Sequence, residues 1–355
     1  MKPPKTKKTA GRIPKSAVTL RSVAELVGLT ASTVSAVLNS SSASRSVPEH
    51  TKKRILAAAQ ALDYRPNFFA RSLRVKRTYM IGLILAEIGD AYGSIVVSGI
   101  ERYLREQNVF FLTVAHHHDK KLLASYSTVL RERGVEGFIT LDTLLTEEPP
   151  LPTVAVAGHR RIKGVTNVVL DHRRAASLAL SHLVDLGHEK IAFMKGSTLS
   201  ADSEVRWNAI CEVAAKMGIR IQPELIVQLK GDDPSPNLGY PFAKQLLERK
   251  EAFTALFAYN DISAIGAICA FQEVGLRVPD EISVVGFDDI QSAAYISPPL
   301  TTVRQPMLKM GEVAARTLLD RIEARMKYVP EIAIEPELVV RRSSAQARTR
   351  SGADN

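Results

Sequence analysis

The sequence predicts an all-α N-terminal module followed by an α/β body of two doubly wound lobes. Between positions 18 and 62 apolar residues recur three and four apart, the period of short helices that share one buried face. Beyond position 78, short runs rich in Val, Ile, Leu and Phe alternate with amphipathic stretches, as buried parallel strands alternate with crossover helices. The charge changes at the same place. Residues 1–78 hold 16 of the 47 Lys and Arg but only three of the 37 acidic residues, Glu25, Glu49 and Asp63. The excess positive charge therefore lies in the first fifth of the chain and the remainder is slightly acidic, the electrostatic footprint of a polyanion binder.

Residues 1–17 lack periodicity and are rich in Lys and Pro, so they read as a solvated basic tail. Thr19 then caps a helix whose buried face is Leu20, Val23, Ala24 and Val27. Gly28 breaks the pattern and supplies a tight turn, and Thr30 caps a second helix that turns Val34, Val37 and Leu38 inward. A third helix runs from Pro48 to Leu62 with Ile55, Ala58 and Leu62 as its apolar residues. Two short helices joined by a turn and braced by a third describe a helix-turn-helix. The second helix is expected to expose Ala31, Ser32, Thr33, Ser35 and Ala36. So small a face can enter a major groove, hydroxyls bonding phosphates or base edges and methyls meeting thymine methyls.

In the body YMIGLILAE, VFFLTVA, GVEGFITL, PTVAVAG, KIAFMKG, ALFAYN and ISVVGFDD read as strands, with helices over 94–107, 173–186, 205–217 and 263–274 among those between them. Some 260 residues of alternation exceed one sheet, so two lobes with a cleft are expected. Ligands of such sheets sit beyond the carboxyl ends of the strands. The polar residues to inspect there are Asp90 and Tyr92, Gly158, His159 and Arg160, Asn260 and Asp261, and Asp288, with Arg206 opening a helix after the fifth strand.

Several chemistries find no foothold. No apolar run is long enough to cross a bilayer, and no apolar stretch of signal-peptide length follows the basic start, so a cytoplasmic location is expected. Cys211 and Cys269 lie in apolar helical patterns without CxxC spacing and read as small buried hydrophobes. Neighbouring His116, His117 and His118 point in different directions and do not make a metal site. Trp207 reads as core. No nucleophile elbow, phosphate loop or dinucleotide fingerprint follows a strand, so no catalytic residue and no cofactor is expected.

The stretches VTLRSVAELVGLTASTVSAVLN and RILAAAQALDYRPNFFARSLR resemble the headpiece and hinge of the lactose-repressor/galactose-repressor family of transcriptional regulators. GHEKIAF, YND, ISVVGFDD and PPLTTVRQP extend the resemblance through the body. It implies a repressor that holds a near-palindromic double-stranded DNA operator as a homodimer or dimer of dimers, in the nucleoid. It further implies a periplasmic-binding-protein-like body that takes a small effector, commonly a sugar or nucleobase-type metabolite. By position Ala31, Ser32 and Ala36 would read bases, while Arg21, Thr33, Ser35 and Asn39 would touch the DNA backbone. Residues 67–73 would form a hinge helix with Leu73 as an apolar wedge in the minor groove. Arg206, Asn260 and Asp288 correspond to effector-binding positions, and Asp90, Tyr92 and Arg160 join them as candidates. The chain departs from the family at Ala36, where relatives often carry Arg or His, at Ala157, where sugar-binding relatives often have Asp, and around 232–236, where a stacking aromatic is missing. The expected organisation is a tail (1–17), the helix-turn-helix domain (18–64), hinge and linker (65–78), the two-lobed body (79–342) and a frayed tail (343–355).

Overall fold

The computed structural model describes residues 18–39, 41–65, 72, 76–231 and 233–348. The chain divides into two compact units, with the boundary after Thr78.

The first unit holds α1 (Leu20–Val27), α2 (Ala31–Leu38) and α3 (Glu49–Ala61). Thr19 caps α1 and Thr30 caps α2, their hydroxyls accepting from the backbone N–H of Ser22 and of Thr33. Gly28, at φ +67°, ends α1 in the left-handed region that a residue with a Cβ enters at a cost. Val23, Val34 and Ile55 are fully buried and come one from each helix. In so small a core each such side chain contributes about 1.5–3 kcal/mol, so the three helices stand or fall together.

The second unit is built from two sheets. The first contains β1 (Met80–Leu85), β2 (Phe110–Ala115), β3 (Phe138–Leu141), β4 (Thr153–Val156), β5 (Val165–Leu170) and β11 (Glu331–Ile334), in the spatial order β2-β1-β3-β4-β5-β11, all parallel. The second contains β6 (Ile191–Lys195), β7 (Ile226–Gln228), β8 (Ala255–Phe257), β9 (Ser283–Asp288), β10 (Thr301–Arg304) and β12 (Glu337–Val339), in the order β7-β6-β8-β9-β10-β12. Only β12 is antiparallel in it. Each sheet has the doubly wound order that leaves a crevice where the winding reverses. Helices α4 (Ala91–Glu106), α5 (Lys120–Glu132) and α10 (Met307–Ile322) pack on the first sheet. Helices α6 (His172–Asp185), α7 (Ser203–Lys216), α8 (Tyr240–Glu248) and α9 (Asp261–Glu273) belong to the second. The chain passes between lobes three times, at β5 to α6, β10 to α10 and β11 to β12. No helix among the described residues is long and apolar enough to cross a membrane.

Two expectations are corrected. Residues 343–348 are not frayed: Ser343 is fully buried, donates to the Val284 carbonyl at 2.6 Å and accepts from Thr301 N at 2.8 Å. Ala345 N and Ala347 N then bond Ser283 Oγ and the Leu186 carbonyl at 3.0 and 2.7 Å. A polar, Ser-rich segment looks frayed in sequence, yet its hydroxyls and amides satisfy strand-end groups that would otherwise lack partners. Cys269 is exposed on α9 rather than buried, and Cys211 is half-buried, because α9 turns Ile268 and Ala270 inward on either side of Cys269. Trp207 does pack against the second core, edge-on to Phe193.

Candidate functional site

In the first unit the exposed part of α2 is its N-terminal turn. Thr30 Oγ1 lies 2.8 Å from Ser32 Oγ and 2.9 Å from Thr33 Oγ1, so three hydroxyls gather where the helix dipole is positive. Ala31 and Ser32 are exposed and Thr33 is half-buried. Arg21 projects from α1 into solvent beside Glu25, at 3.3 Å. Such a surface can grip phosphate oxygens and meet base edges. The expected five-residue exposed face is shortened, however. Ser35 and Ala36 are 6% and 9% exposed, because the chain returns over this end of the helix. Ser41 N donates to the Ala36 carbonyl at 3.1 Å, and Asn39 Nδ2 donates to the Ser35 carbonyl at 2.8 Å. Leu73 and the hinge residues 67–71 lie outside the described residues.

In the second unit a cavity of about 150 Å³ lies between the lobes, at the carboxyl ends of β1, β3, β4, β6, β8 and β9. That is about the space that holds one six-membered ring. Asp142, Ala157 and Asp288 line it at the ends of β3, β4 and β9 with φ of +45°, +56° and +113°. Non-glycine residues in this region are uncommon, and they gather where a scaffold holds functional groups in place.

Arg206, on α7, is its central cation. The guanidinium stacks 3.7 Å from the Phe287 ring centroid and 4.5 Å from that of Tyr259, donates to the Tyr259 carbonyl at 2.6 Å, and pairs with Asp202. Tyr259 fits there because Gly196 faces its ring, where a Cβ would approach within 2.2 Å. Asp202 Oδ1 also accepts from His159 Nε2 at 2.6 Å and His172 Nε2 at 3.0 Å. Burial pushes the Asp202 carboxyl up, but His172 and Arg206 outweigh it and hold the group well below the ordinary carboxylate range. Burial opposes the charge on Arg206 too, and Asp202 prevails, raising its pKa further. His159, His172 and Asp202 bring three ligand atoms within 4.8 Å of one another, as a metal site would. Yet Asp202 is already committed to a guanidinium, and separations of 2.6 and 3.0 Å suit hydrogen bonds. Asp142 crosses from the first lobe to accept from Ala201 N at 2.8 Å and Ser200 Oγ at 3.2 Å.

Five of the six effector-binding candidates come together here: Asp90, Tyr92, Arg206, Asn260 and Asp288 all line the cavity. Asp90 and Asn260 also cap α4 and α9, accepting from Gly93 N and Ser263 N, so both have structural duties. Burial raises the carboxyl pKa of Asp90, of Asp142 to about 6 and of Asp288 to about 7. Arg160 is a correction. It is exposed and does not line this cavity; its carbonyl accepts from Asn167 Nδ2 at 2.9 Å, which fixes the loop and turns the cavity-facing role over to Ala157. Sequence reasoning missed Asp142, Asp202, Tyr259 and Gln305. Asp142 directly follows a recognised strand, and Asp202 stands four residues before Arg206 on the helix side, the spacing of an ion pair.

Two family models match the chain: bacterial regulatory proteins of the lacI family over residues 19–67, and a periplasmic binding protein-like domain over 180–344. The HTH-type transcriptional repressor PurR of Yersinia pestis bv. Antiqua is 32% identical over 336 residues, spanning 92% of this chain and 97% of that protein. PurR of Haemophilus influenzae is 31% identical over 337 residues, 92% of this chain and 98% of its own length. Among solved structures, the Lac repressor dimer bound to operator and the anti-inducer ONPF superposes with a TM-score of 0.83 at 25% identity, over 93% of this chain and all of that one. The transcriptional regulator CelR with cellobiose gives 0.67 at 26% identity, over 92% of this chain and all of that one. These relatives are regulators rather than enzymes. With its helix-turn-helix module, its two-lobed body and near full-length identity above 30% to curated repressors, the chain belongs to the lacI family of bacterial regulatory proteins.

Proposed function

We propose that this chain represses transcription by holding a near-palindromic operator as a homodimer, and that a small effector in the interlobe cavity modulates the hold. The supporting observation is the exposed first turn of α2, where Thr30, Ser32 and Thr33 present hydroxyls on a module that carries the chain's excess positive charge. Ala31 and Ser32 read base edges, and Thr33 and Arg21 hold phosphates. Ser35, Ala36 and Asn39 act indirectly, by fixing the end of the helix. Leu73 is assigned the minor-groove wedge on the strength of the resemblance alone. The reading places the protein on chromosomal DNA in the cytoplasm and gives the cavity no catalytic step.

An effector acts only through a difference in affinity between two states. Contacts that join the lobes, His159 with Asp202 and Asp142 with Ala201, are the bonds whose balance a ligand would shift. A coupling of about 1–3 kcal/mol is what such linkage usually delivers. The test is a gel-shift series on a palindromic duplex with the wild type, Ser32→Ala and Leu73→Ala. Both substitutions should weaken binding to that duplex far more than binding to random DNA; equal losses on both would refute the assignment.

A further inference from the structure

The cavity constrains the chemistry of the effector it can hold. Six carboxylates line it, those of Glu87, Asp90, Asp142, Asp202, Asp233 and Asp288. Arg206 is the one guanidinium or ammonium group among the described residues that line it. Its direct ion pair is with Asp202, which His159 and His172 also face, and its charge reaches Asp288 only at longer range. Glu87 pairs with His117 at 2.8 Å, and Asp233 is exposed to water. That leaves three.

Asp90 takes its bond from Gly93 N, Asp142 from Ala201 N and Ser200 Oγ, and Asp288 from Gln305 Nε2 at 2.6 Å. All of these donors are neutral. The three groups line one cavity, together with Tyr92. Neutral donors offset only part of the cost of taking a carboxylate out of water, whereas a cation at hydrogen-bond distance offsets much more. Arg206 offsets part of that cost at Asp288 and His118 part of it at Asp142; what remains is relieved by an ammonium and not by a neutral polyol.

Arg206 supplies a second, independent pointer. It is 5% exposed and locked between the Phe287 and Tyr259 rings, yet its Nε has no hydrogen-bond partner among the described residues. It is a donor that the side chains around it leave unanswered. The cavity has room for a ligand of about one ring.

We infer that the effector is a ring-sized hydroxylated amine, such as an amino sugar, whose ammonium sits among Asp90, Asp142 and Asp288 while a ligand oxygen approaches Arg206. This rests on the proposed regulator reading and narrows it to a chemical class. Charge-assisted bonds from an ammonium to carboxylates are roughly twice as strong as neutral ones, so replacing –OH by –NH3+ at one position should be strongly favoured.

The experiment is calorimetric titration of the full-length protein at neutral pH with matched pairs: glucosamine and glucose, galactosamine and galactose, mannosamine and mannose. At least one amino sugar should bind about tenfold or more tightly than its hydroxyl parent, a difference of ~1.4 kcal/mol. Asp288→Asn, and separately Asp142→Asn, should narrow that ratio to about threefold or less; where either variant melts early, the wild-type ratio alone decides. Equal binding within a pair, tighter binding of the neutral parents, or no binding of any amine overturns the inference. A gel-shift on the same preparation separates the two levels. If the protein holds DNA but ignores amines, the ligand class is wrong and the regulator reading stands; if it holds no DNA, the reading itself fails.

Discussion

His159 Nε2 meets Asp202 Oδ1 at 2.6 Å, and with that bond a loop of the first lobe is fastened to the helix of the second that carries Arg206. Asp202 thereby serves as partner to a histidine from each side and to the guanidinium beneath the cavity.

Asp202→Ala should accordingly be severe. It strips a buried guanidinium of the carboxylate it pairs with, a change that costs about 3–5 kcal/mol when a buried pair is broken. The melting temperature of the body should fall by roughly 10 °C, given about 2–4 °C per kcal/mol in a domain of this size. A calorimetric scan showing a loss within about 2 °C would mean that solvent already screens the pair.

Asp288 should give the body a characteristic pH dependence. Burial raises its carboxyl from the ordinary 3.8 to about 7, with Arg206 partly opposing. The folded protein therefore keeps this proton where the unfolded chain has released it. The stability that follows is fully present below about pH 4 and is lost as pH rises through about 7. Relative to wild type, Asp288→Asn should thus gain stability between pH 5 and pH 8, by a few degrees in melting temperature. Parallel curves for the two proteins would show that the group titrates normally.

The burial pattern of α2 separates two alanines that look alike in sequence. Ala31 is exposed and Ala36 is 9% exposed beneath the returning chain. Ala36→Leu should overpack that contact and destabilise the N-terminal module by about 1–3 kcal/mol. Ala31→Leu should leave its melting curve unchanged and alter which DNA is bound. Circular dichroism melts paired with gel shifts would distinguish them, and equal melting of both variants would contradict the assignment.

The C-terminal segment offers a truncation test. Deleting residues 343–355 removes the buried Ser343 hydroxyl and leaves Thr301 N and the Val284 carbonyl unpaired at the sheet. At about 1–3 kcal/mol for each buried unsatisfied group, the body should melt several degrees lower. Deleting only 349–355 should have little effect. If both deletions behave alike, residues 343–348 contribute nothing to stability.

The helix-turn-helix was almost wholly legible, because Thr19, Gly28 and Thr30 are local signals that act within a few residues of themselves. Strands with unbroken apolar runs, such as β1 and β9, were equally clear. Strand β5 was not, since Thr166 and Asn167 interrupt it and are buried only because partners elsewhere take their polar groups: Val329 accepts from Thr166, and Asn167 donates to the Arg160 carbonyl. The cavity followed the strand-end rule at Asp90, Arg206 and Asp288. Asp142 and Asp202 escaped because their importance comes from contacts across the lobes, 43 to 59 residues apart in sequence, that no local pattern announces. Arg160 misled for the converse reason: it stands at a strand end, but its loop turns it to solvent.

Whether the basic N-terminal module reads DNA sequence is decided by selecting bound duplexes from a random pool and retitrating the winners across a salt series. One near-palindrome should be enriched, bound with an affinity that falls steeply and linearly in log–log against salt, while preference over random duplex persists. A pool that emerges unenriched, with all duplexes bound alike and lost together as salt rises, would contradict it.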